Sequence, residues 1–347
     1  MITLRSLAAS ACLCLAFLPA SVAQSGAEPR VVASIKPVHS LVASVMEGVD
    51  NPELIVGGAA SPHAYALKPS QAQALEKADL IFWIGHELES FLEKPIETIG
   101  ANARAVELID SKGLIQLPFR EGGPFEAHMH DEHDGHEDHE DHADGADHDH
   151  DHDHEEGEEH AEAESGHDDH HDHDGGFDAH LWLDPLNAKV FVTTIGEALS
   201  ATDPANASTY AANVARTNDK LDALVSEINT TLAPVHGKQF IVFHDAYQYF
   251  EKRFDMEAAG SITVNPEVRP SAERVAAIRE KVQDLDAACA FSEPQFDSQL
   301  IDVAIEGTSA GTAVLDPLGA TLDDGPELYF DLIRNLATSM RDCLQKG

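Results

Sequence analysis

The sequence predicts an α/β fold of two lobes, each built on a mostly parallel sheet, joined by one long rigid helix. Short apolar, β-branched runs alternate along the chain with segments of helical periodicity. The alternation occurs in two groups of about four units, which is typical of parallel sheets covered by helices. One helical segment of unusual length separates the two groups.

The first group predicts four strands with helices between them. Its apolar runs predict strands over Val31–Ile35, Leu54–Val56, Leu80–Ile84 and Ala105–Leu108. The spacing of apolar residues predicts helices that begin at about Pro37 and that span Pro69–Glu76, Leu88–Ile99 and Pro185–Leu199.

A histidine-rich, acidic insertion interrupts this group. Residues Glu126–Asp174 contain 15 of the 21 histidines, and residues 126–178 contain 24 Asp and Glu but no Lys or Arg. Because its few apolar residues cannot offset the entropy cost of ordering the chain, we expect a disordered loop.

The long helix is predicted over Pro204–Leu232. Pro204 suits the first helical position, and Pro234 follows just past the end. Apolar residues recur along it at Val214, Leu221, Leu224, Val225, Ile228 and Leu232. A helix of 29 residues is about 43 Å long, so it can connect two lobes.

The second group repeats the pattern of the first. Its predicted strands are Gln239–Phe243, Ser261–Val264, Ala290–Ser292 and Ala313–Leu315. Its predicted helices are Asp245–Phe254, Pro270–Leu285, Ser298–Glu306 and Glu327–Cys343.

The charge of the chain points to cations as ligands. The formal net charge is −40 at pH 7, and the chain without residues 126–178 still carries −16. Nucleic acid and anionic membrane surfaces are therefore poor partners, because like charges repel.

The N-terminus predicts an exported, soluble protein. Arg5 precedes an apolar run from Leu7 to Leu18, and small residues at Ser21 and Ala23 fit a cleavage site after Ala23. The apolar run is too short to span a bilayer as a helix. We therefore divide the chain into a signal peptide (1–23), an N-terminal lobe (24–203), an interlobe helix (204–232) and a C-terminal lobe (233–347).

Two cysteines remain after removal of the signal peptide, Cys289 and Cys343. Export favours a disulfide between them over two separate buried thiols. The bond would close a loop of 54 residues, which is worth roughly 4 kcal/mol in the chain-entropy model.

Histidines and an acid lie close to the ends of predicted strands. His63 follows the second strand, His244 follows the run Phe240–Phe243, and Asp316 follows Val314-Leu315, while His180 begins the stretch His180–Pro185. Open α/β sheets bind ligands at the carboxyl ends of their strands, so a cleft between the lobes could gather these groups.

Three imidazoles and a carboxylate would suit tetrahedral zinc. Nearby acids such as Asp245 or Asp184 could orient the imidazole rings. From spacing alone the set is weakly specified. A histidine after a strand more often caps or packs than ligates, and His39, His86 and His236 fit the same description.

Six motifs together resemble the ZnuA-type periplasmic zinc-binding proteins of bacterial ABC importers. They read SIKPVHSLVASVMEGV, SPHAYALKPSQAQALEKADLIFWIG, DAHLWLDP, FHDAYQYFEKRF, TVNPEVRPSAER and FSEPQF…LDPLG. The resemblance covers about Val31 to Leu344 apart from the insertion, and it is specific as an ordered set.

The resemblance implies two lobes bridged by a rigid helix, with Zn²⁺ bound between them as the transported ligand. It assigns the ligand roles to His63, His180 and His244. It gives Asp316 as a further ligand that water can replace. It also implies the Cys289–Cys343 disulfide, a periplasmic location, an inner-membrane ABC permease with its ATPase as partner, and no enzymatic activity. We expect a monomer.

The sequence departs from this family at two places. Pro62 stands where some zinc members place a glutamate before the first histidine, so that acid is absent here. Gly260, Ser261 and Ile262 occupy the region where some members carry a histidine of an auxiliary metal site.

The insertion predicts additional weak metal binding. Neutral imidazoles beside carboxylates are divalent-metal ligands, and Asp147–His154 offers overlapping sets through His148, His150, His152 and His154. We expect affinity below that of a preformed site, because each capture must order flexible chain. A solvated acidic segment without metal is the alternative.

Three other functions remain open at this stage. Manganese or iron capture would call for two carboxylates among the ligands, which Pro62 and the three histidines disfavour. A zinc hydrolase could use three histidines and a water, but no HExxH motif is present. A periplasmic metal buffer would act without a permease.

Overall fold

The computed structural model describes residues 28–120, 125, 176–263, 266–268, 270–284 and 287–346. Within them the chain forms two four-stranded parallel sheets with helices, which confirms the predicted two-lobe α/β fold. The predicted signal peptide and the predicted disordered loop 126–174 lie outside the described residues.

The first lobe is built on a sheet of strand order β2-β1-β3-β4. Its strands are β1 (Val31–Ile35), β2 (Glu53–Val56), β3 (Leu80–Trp83) and β4 (Arg104–Glu107). The register pairs Ile35 with Val56, so the carboxyl ends of β1 and β2 lie side by side. The loop that carries His63 follows β2 at this end of the sheet and extends toward the second lobe.

The second lobe repeats this topology, with strand order β6-β5-β7-β8. Its strands are β5 (Phe240–His244), β6 (Gly260–Thr263), β7 (Cys289–Ser292) and β8 (Gly311–Val314). Central strands β1, β3 and β5 are buried at every residue. Helices cover both faces of such a sheet, which explains why these strands read as continuous apolar runs.

Nine helices belong to the described part of the chain, four before the long helix and four after it. The first four are α1 (Lys36–Met46), α2 (Pro69–Lys77), α3 (Ser90–Thr98) and α4 (Pro185–Thr202). The long helix is α5 (Ala207–Leu232). The last four are α6 (Gln248–Arg253), α7 (Ala272–Asp284), α8 (Gln299–Ile305) and α9 (Leu328–Leu344). Every one of these helices is too short or too polar to cross a lipid bilayer.

The long helix begins slightly later than its sequence pattern predicts. Pro204–Asn206 forms a 3₁₀ turn, and α5 then runs for 26 residues. It buries Leu221, Leu224 and Ile228 against α4, α1 and α9. Because the C-terminal helix α9 packs on both α1 and α5, the lobes share one continuous apolar core beside the covalent connection.

Buried polar contacts also tie the two lobes together. The indole Nε1 of Trp182 donates to the carbonyl of Pro317 at 2.8 Å, and the hydroxyl of Tyr329 donates to the carbonyl of Trp182 at 2.7 Å. The ammonium of Lys36 donates to the carbonyl of Leu322 at 2.7 Å. These bonds satisfy polar groups that would otherwise be costly to bury, and they fix the lobes beside the site.

The predicted disulfide is confirmed. Cys289 in β7 and Cys343 in α9 are bonded, with their Cα atoms 6.1 Å apart. The bond fastens the C-terminal helix to the second sheet.

Candidate metal centre

Three histidines converge from three separate segments. His63 lies in the loop after β2, His180 directly precedes the 3₁₀ turn Leu181–Leu183, and His244 is the last residue of β5. The first two belong to the first lobe and the third to the second lobe. The carboxyl ends of the two sheets therefore face each other across the site, as the strand-end argument predicts.

The distances between the rings fit a single metal ion. The ligand nitrogens of His63, His180 and His244 all lie within 4.8 Å of one another. Nε2 of His180 is 3.3 Å from Nε2 of His244. Two nitrogen donors about 2.0–2.1 Å from one tetrahedral zinc ion are themselves about 3.3 Å apart, so this pair already has the required spacing.

Two buried carboxylates hold two of the rings. Oδ1 of Asp178 lies 2.7 Å from Nδ1 of His180, and Oε1 of Glu293 lies 2.7 Å from Nδ1 of His244. A carboxylate can only accept, so each ring donates from Nδ1 and keeps the lone pair of Nε2 for an ion. This arrangement of metal-binding histidines fixes the tautomer and raises the basicity of the ligand.

The pKa values of the histidines follow from their surroundings. Burial, with His180 and His244 nearby, lowers the pKa of His63 well below 6.5, so its imidazole is neutral at neutral pH. Burial alone would also lower the pKa of His244, but the adjacent Glu293 carboxylate, together with Asp245 and Asp178, outweighs this effect and raises the pKa. The carboxylate that stabilises a proton on His244 would also stabilise a metal cation bound to that ring in place of the proton.

Two cavities adjoin the rings. The smaller has a volume of about 10 Å³, room for one water-sized species, and is lined by His63, His180 and His244 with Glu293, Gln295 and Trp182. The larger, of about 290 Å³, borders His63 and His180 and is also lined by Glu87, Asp178 and Asp245. Its acidic lining raises the local concentration of cations.

The structure does not bring Asp316 into this group. Among the described residues, the cluster contains the three histidines without Asp316. Oδ1 of Asp316 accepts from the backbone N–H groups of Leu318 and Gly319, at 3.1 and 3.0 Å, and its Oδ2 accepts from Ala320 N. The carboxylate therefore stabilises the turn after β8.

The acids proposed to orient the rings also differ from those observed. Asp184 caps α4 and forms an ion pair with Arg253, and Asp245 forms an ion pair with Arg120. Asp178 and Glu293 take the orienting role instead. Both lie in the quoted motifs DAHLWLDP and FSEPQF, and the position of Asp178 two residues before His180 is the one local signal for it.

The remaining histidines have separate positions. His86 lies on the surface within 3.4 Å of Glu87 and 3.5 Å of Glu107, and these three form a second group of potential metal ligands among the described residues. His39 is buried, with Nε2 3.0 Å from the carbonyl of Pro52, and His236 is exposed. His148, His150, His152 and His154 lie outside the described residues.

The chain is similar to known zinc-uptake proteins. The profile of the family described as zinc-uptake complex component A, periplasmic (ZnuA), matches residues 31–343. The high-affinity zinc uptake system protein ZnuA of Brucella suis is 55% identical over 322 residues, 93% of each chain, and that of Paracoccus denitrificans is 41% identical over 345 residues, 99% of each chain.

A solved structure shows the same fold. A crystal structure of ZnuA superposes with a TM-score of 0.68 at 21% identity, covering 91% of this chain and 99% of that one. The family match over most of the chain, the identity to the Brucella protein and the paired lobes lead to one assignment: this chain belongs to the ZnuA family of zinc-uptake proteins.

Proposed function

We propose that the chain captures Zn²⁺ between its lobes and delivers it to an inner-membrane ABC permease, whose ATPase drives import. The observation that carries the proposal is the 3.3 Å separation of the His180 and His244 Nε2 atoms, with His63 in the same cluster. The membership of a zinc-uptake family and the names of the relatives support zinc as the cargo.

The ligands in this proposal are His63, His180 and His244. Three neutral nitrogen donors suit zinc better than manganese, which prefers oxygen ligands. The carboxylates of Asp178 and Glu293 balance the charge of the ion through the rings. Asp316 is left out of the ligand set, because its carboxylate is engaged with backbone N–H groups.

The acidic cavity beside the cluster is the proposed route of entry. It connects His63 and His180 with Glu87, Asp178 and Asp245. The histidine-rich residues 126–174, including His148, His150, His152 and His154, supply weaker sites that collect or report zinc. Arg120, which precedes this insertion, forms an ion pair with Asp245 in the second lobe.

The same proposal places the mature protein in the periplasm as a monomer and as a carrier rather than an enzyme. The signal peptide is residues 1–23, and the lobes are 24–203 and 233–347 with the helix segment 204–232 between them. The description of the matching family as periplasmic supports this location.

A double substitution tests the site directly. In a variant that lacks residues 126–174, which removes the histidine-rich segment from the titration, His63→Ala with His244→Ala removes two of the three donors of the cleft. We expect the loss of tight zinc binding in a competition titration, while the surface substitution His236→Ala leaves it unchanged. Retained tight binding in the double variant would refute the site.

Growth separates import from buffering. A strain that lacks the gene should fail to grow when a chelator limits zinc, and the wild-type gene should restore growth only when the permease is present. Restoration without the permease would show that the protein acts as a buffer.

A further inference from the structure

Gln295 presents a buried amide oxygen that no protein group satisfies. It lies three residues past the end of β7 and lines the small cavity together with the three histidines. Among the described residues, no hydrogen-bond donor reaches its Oε1, although that atom is buried. A buried acceptor without a partner is costly, so native structures rarely keep one without a ligand or water to fill it.

The orientation of this amide is fixed by Asp316. Nε2 of Gln295 donates to Oδ1 of Asp316 at 3.0 Å. Because the Asp316 carboxylate also receives backbone N–H groups from Leu318 and Gly319, it is held in place as an acceptor. Only the NH₂ end of the Gln295 amide can face it, and the oxygen must therefore point the other way.

The cluster of three histidines leaves one position on a tetrahedral zinc ion. A water molecule in that position becomes a strong donor, since the ion withdraws electron density from its oxygen. Gln295 and the three histidine rings line the same small cavity, so the amide borders the place where this water would bind. A neutral amide oxygen can accept from such a donor without placing a further negative charge beside the ion.

We propose that Gln295 Oε1 accepts a hydrogen bond from the water that completes the coordination of zinc, and that Asp316 orients Gln295 for this role. The inference rests on the proposed function, because it requires zinc on the three histidines. It gives Asp316 a positioning role in place of direct ligation.

The test compares three full-length proteins: the wild type, the variant Gln295→Leu and the control variant Gln299→Leu. The control replaces an exposed glutamine in α8. Zinc affinity is measured by competition with a chelator. Each protein is then loaded with one equivalent of Co²⁺. The electron paramagnetic resonance line is recorded in water enriched in ¹⁷O, and azide is titrated against the visible spectrum.

We expect ¹⁷O broadening in the wild-type protein, which reports water bound to the metal. Gln295→Leu should weaken zinc binding about tenfold, as losses of groups behind metal ligands do. It should also strengthen azide binding. In the wild type, azide that replaces the water cannot donate to Oε1 and leaves this buried acceptor unpaired, which is costly. The variant lacks the acceptor and so avoids this cost. The control should match the wild type.

Three results would overturn the proposal: no broadening in the wild type, an unchanged zinc affinity in Gln295→Leu, or a weakened zinc affinity with azide binding unchanged. The last result would assign Gln295 a packing role. Failure of the wild-type protein to bind zinc at all would instead refute the proposed function.

Discussion

The three clustered histidines are held in different ways. His180 and His244 are both buried and each donates to a carboxylate, whereas His63 is partly exposed within the loop between β2 and α2. The backbone N–H of His63 is bonded to the hydroxyl of Ser61 at 3.3 Å. Two fixed donors and one more accessible donor would let an ion enter or leave past His63 without moving the buried rings.

The carboxylates behind the rings should contribute strongly to zinc affinity. Asp178→Asn and Glu293→Gln keep the shape of each side chain but remove the charge that polarises the imidazole. We expect each to weaken zinc binding about 10- to 100-fold in a competition titration. Asp302→Asn and Glu280→Gln, at exposed positions, serve as matched controls, and an affinity equal to theirs would contradict the assignment.

The residues of the site differ in how far sequence alone could predict them. All three histidines stand in recognisable motifs. His63 follows strand β2 and His244 ends strand β5, and ligands bind at the carboxyl ends of parallel strands. Which acid faces which ring depends on the tertiary structure. Asp245 is the direct neighbour of His244, yet its carboxylate turns to Arg120, and Glu293, which directly follows the adjacent strand β7, takes its place.

At the scale of the elements, side-chain bonds to the backbone set several boundaries. The helix predicted from Leu88 begins at Ser90, because the Glu89 carboxylate accepts from the N–H groups of Ile84 and Gly85 and so holds a turn before it. The helix predicted from Asp245 begins at Gln248, after a tight turn in which Ala246 N donates to His244 O at 2.9 Å. Apolar spacing does not encode such local bonds.

Glu89 makes the stability of the first lobe depend on pH. Burial raises its pKa from 4.5 to about 7, despite the hydrogen bonds that it accepts from Ser34, Ile84 and Gly85. The folded protein therefore keeps a proton that the unfolded chain releases. Stability due to this group is fully present below pH 4.5 and is lost as pH rises through about 7.

Glu89→Gln should remove this loss. Its amide can offer an oxygen to the two backbone N–H groups and its NH₂ to Ser34, so the site stays filled. Between pH 5 and pH 8 the zinc-free wild type should lose roughly 3 kcal/mol more stability than the variant in urea denaturation. The exposed Glu280→Gln substitution should behave like the wild type. Parallel pH profiles of stability for Glu89→Gln and the wild type would contradict the claim that burial raises the pKa of Glu89.

At the scale of the whole molecule, ion pairs join the two lobes near the site. Arg253 in α6 forms an ion pair with Asp184 at the start of α4, at 2.7 Å, and Arg120 forms ion pairs with Asp245 and Glu251. The shared core around α5 and α9 adds a large apolar contact. Wide hinge opening would break all of these contacts, so we expect zinc exchange through loop movements near His63 or through small tilts of the lobes.

The two-lobe architecture could be predicted from the sequence because several independent sequence signals indicate the same fold. Apolar runs, helix ends marked by proline and the spacing of the units all predict the same parallel sheets. The packing of α9 on α1 was not predicted. It depends on contacts between residues such as Ser40 and Tyr329, whose Oγ and N atoms lie 2.9 Å apart although they are far separated along the chain.

Diffraction from crystals of the zinc-loaded protein, recorded on both sides of the zinc absorption edge, tests the central claim most directly. We predict one strong anomalous peak between the lobes, bonded to His180 Nε2, His244 Nε2 and a nitrogen of His63 at about 2.0–2.1 Å. A principal peak elsewhere, or one at this place that fewer than three of these histidines contact, would contradict the account.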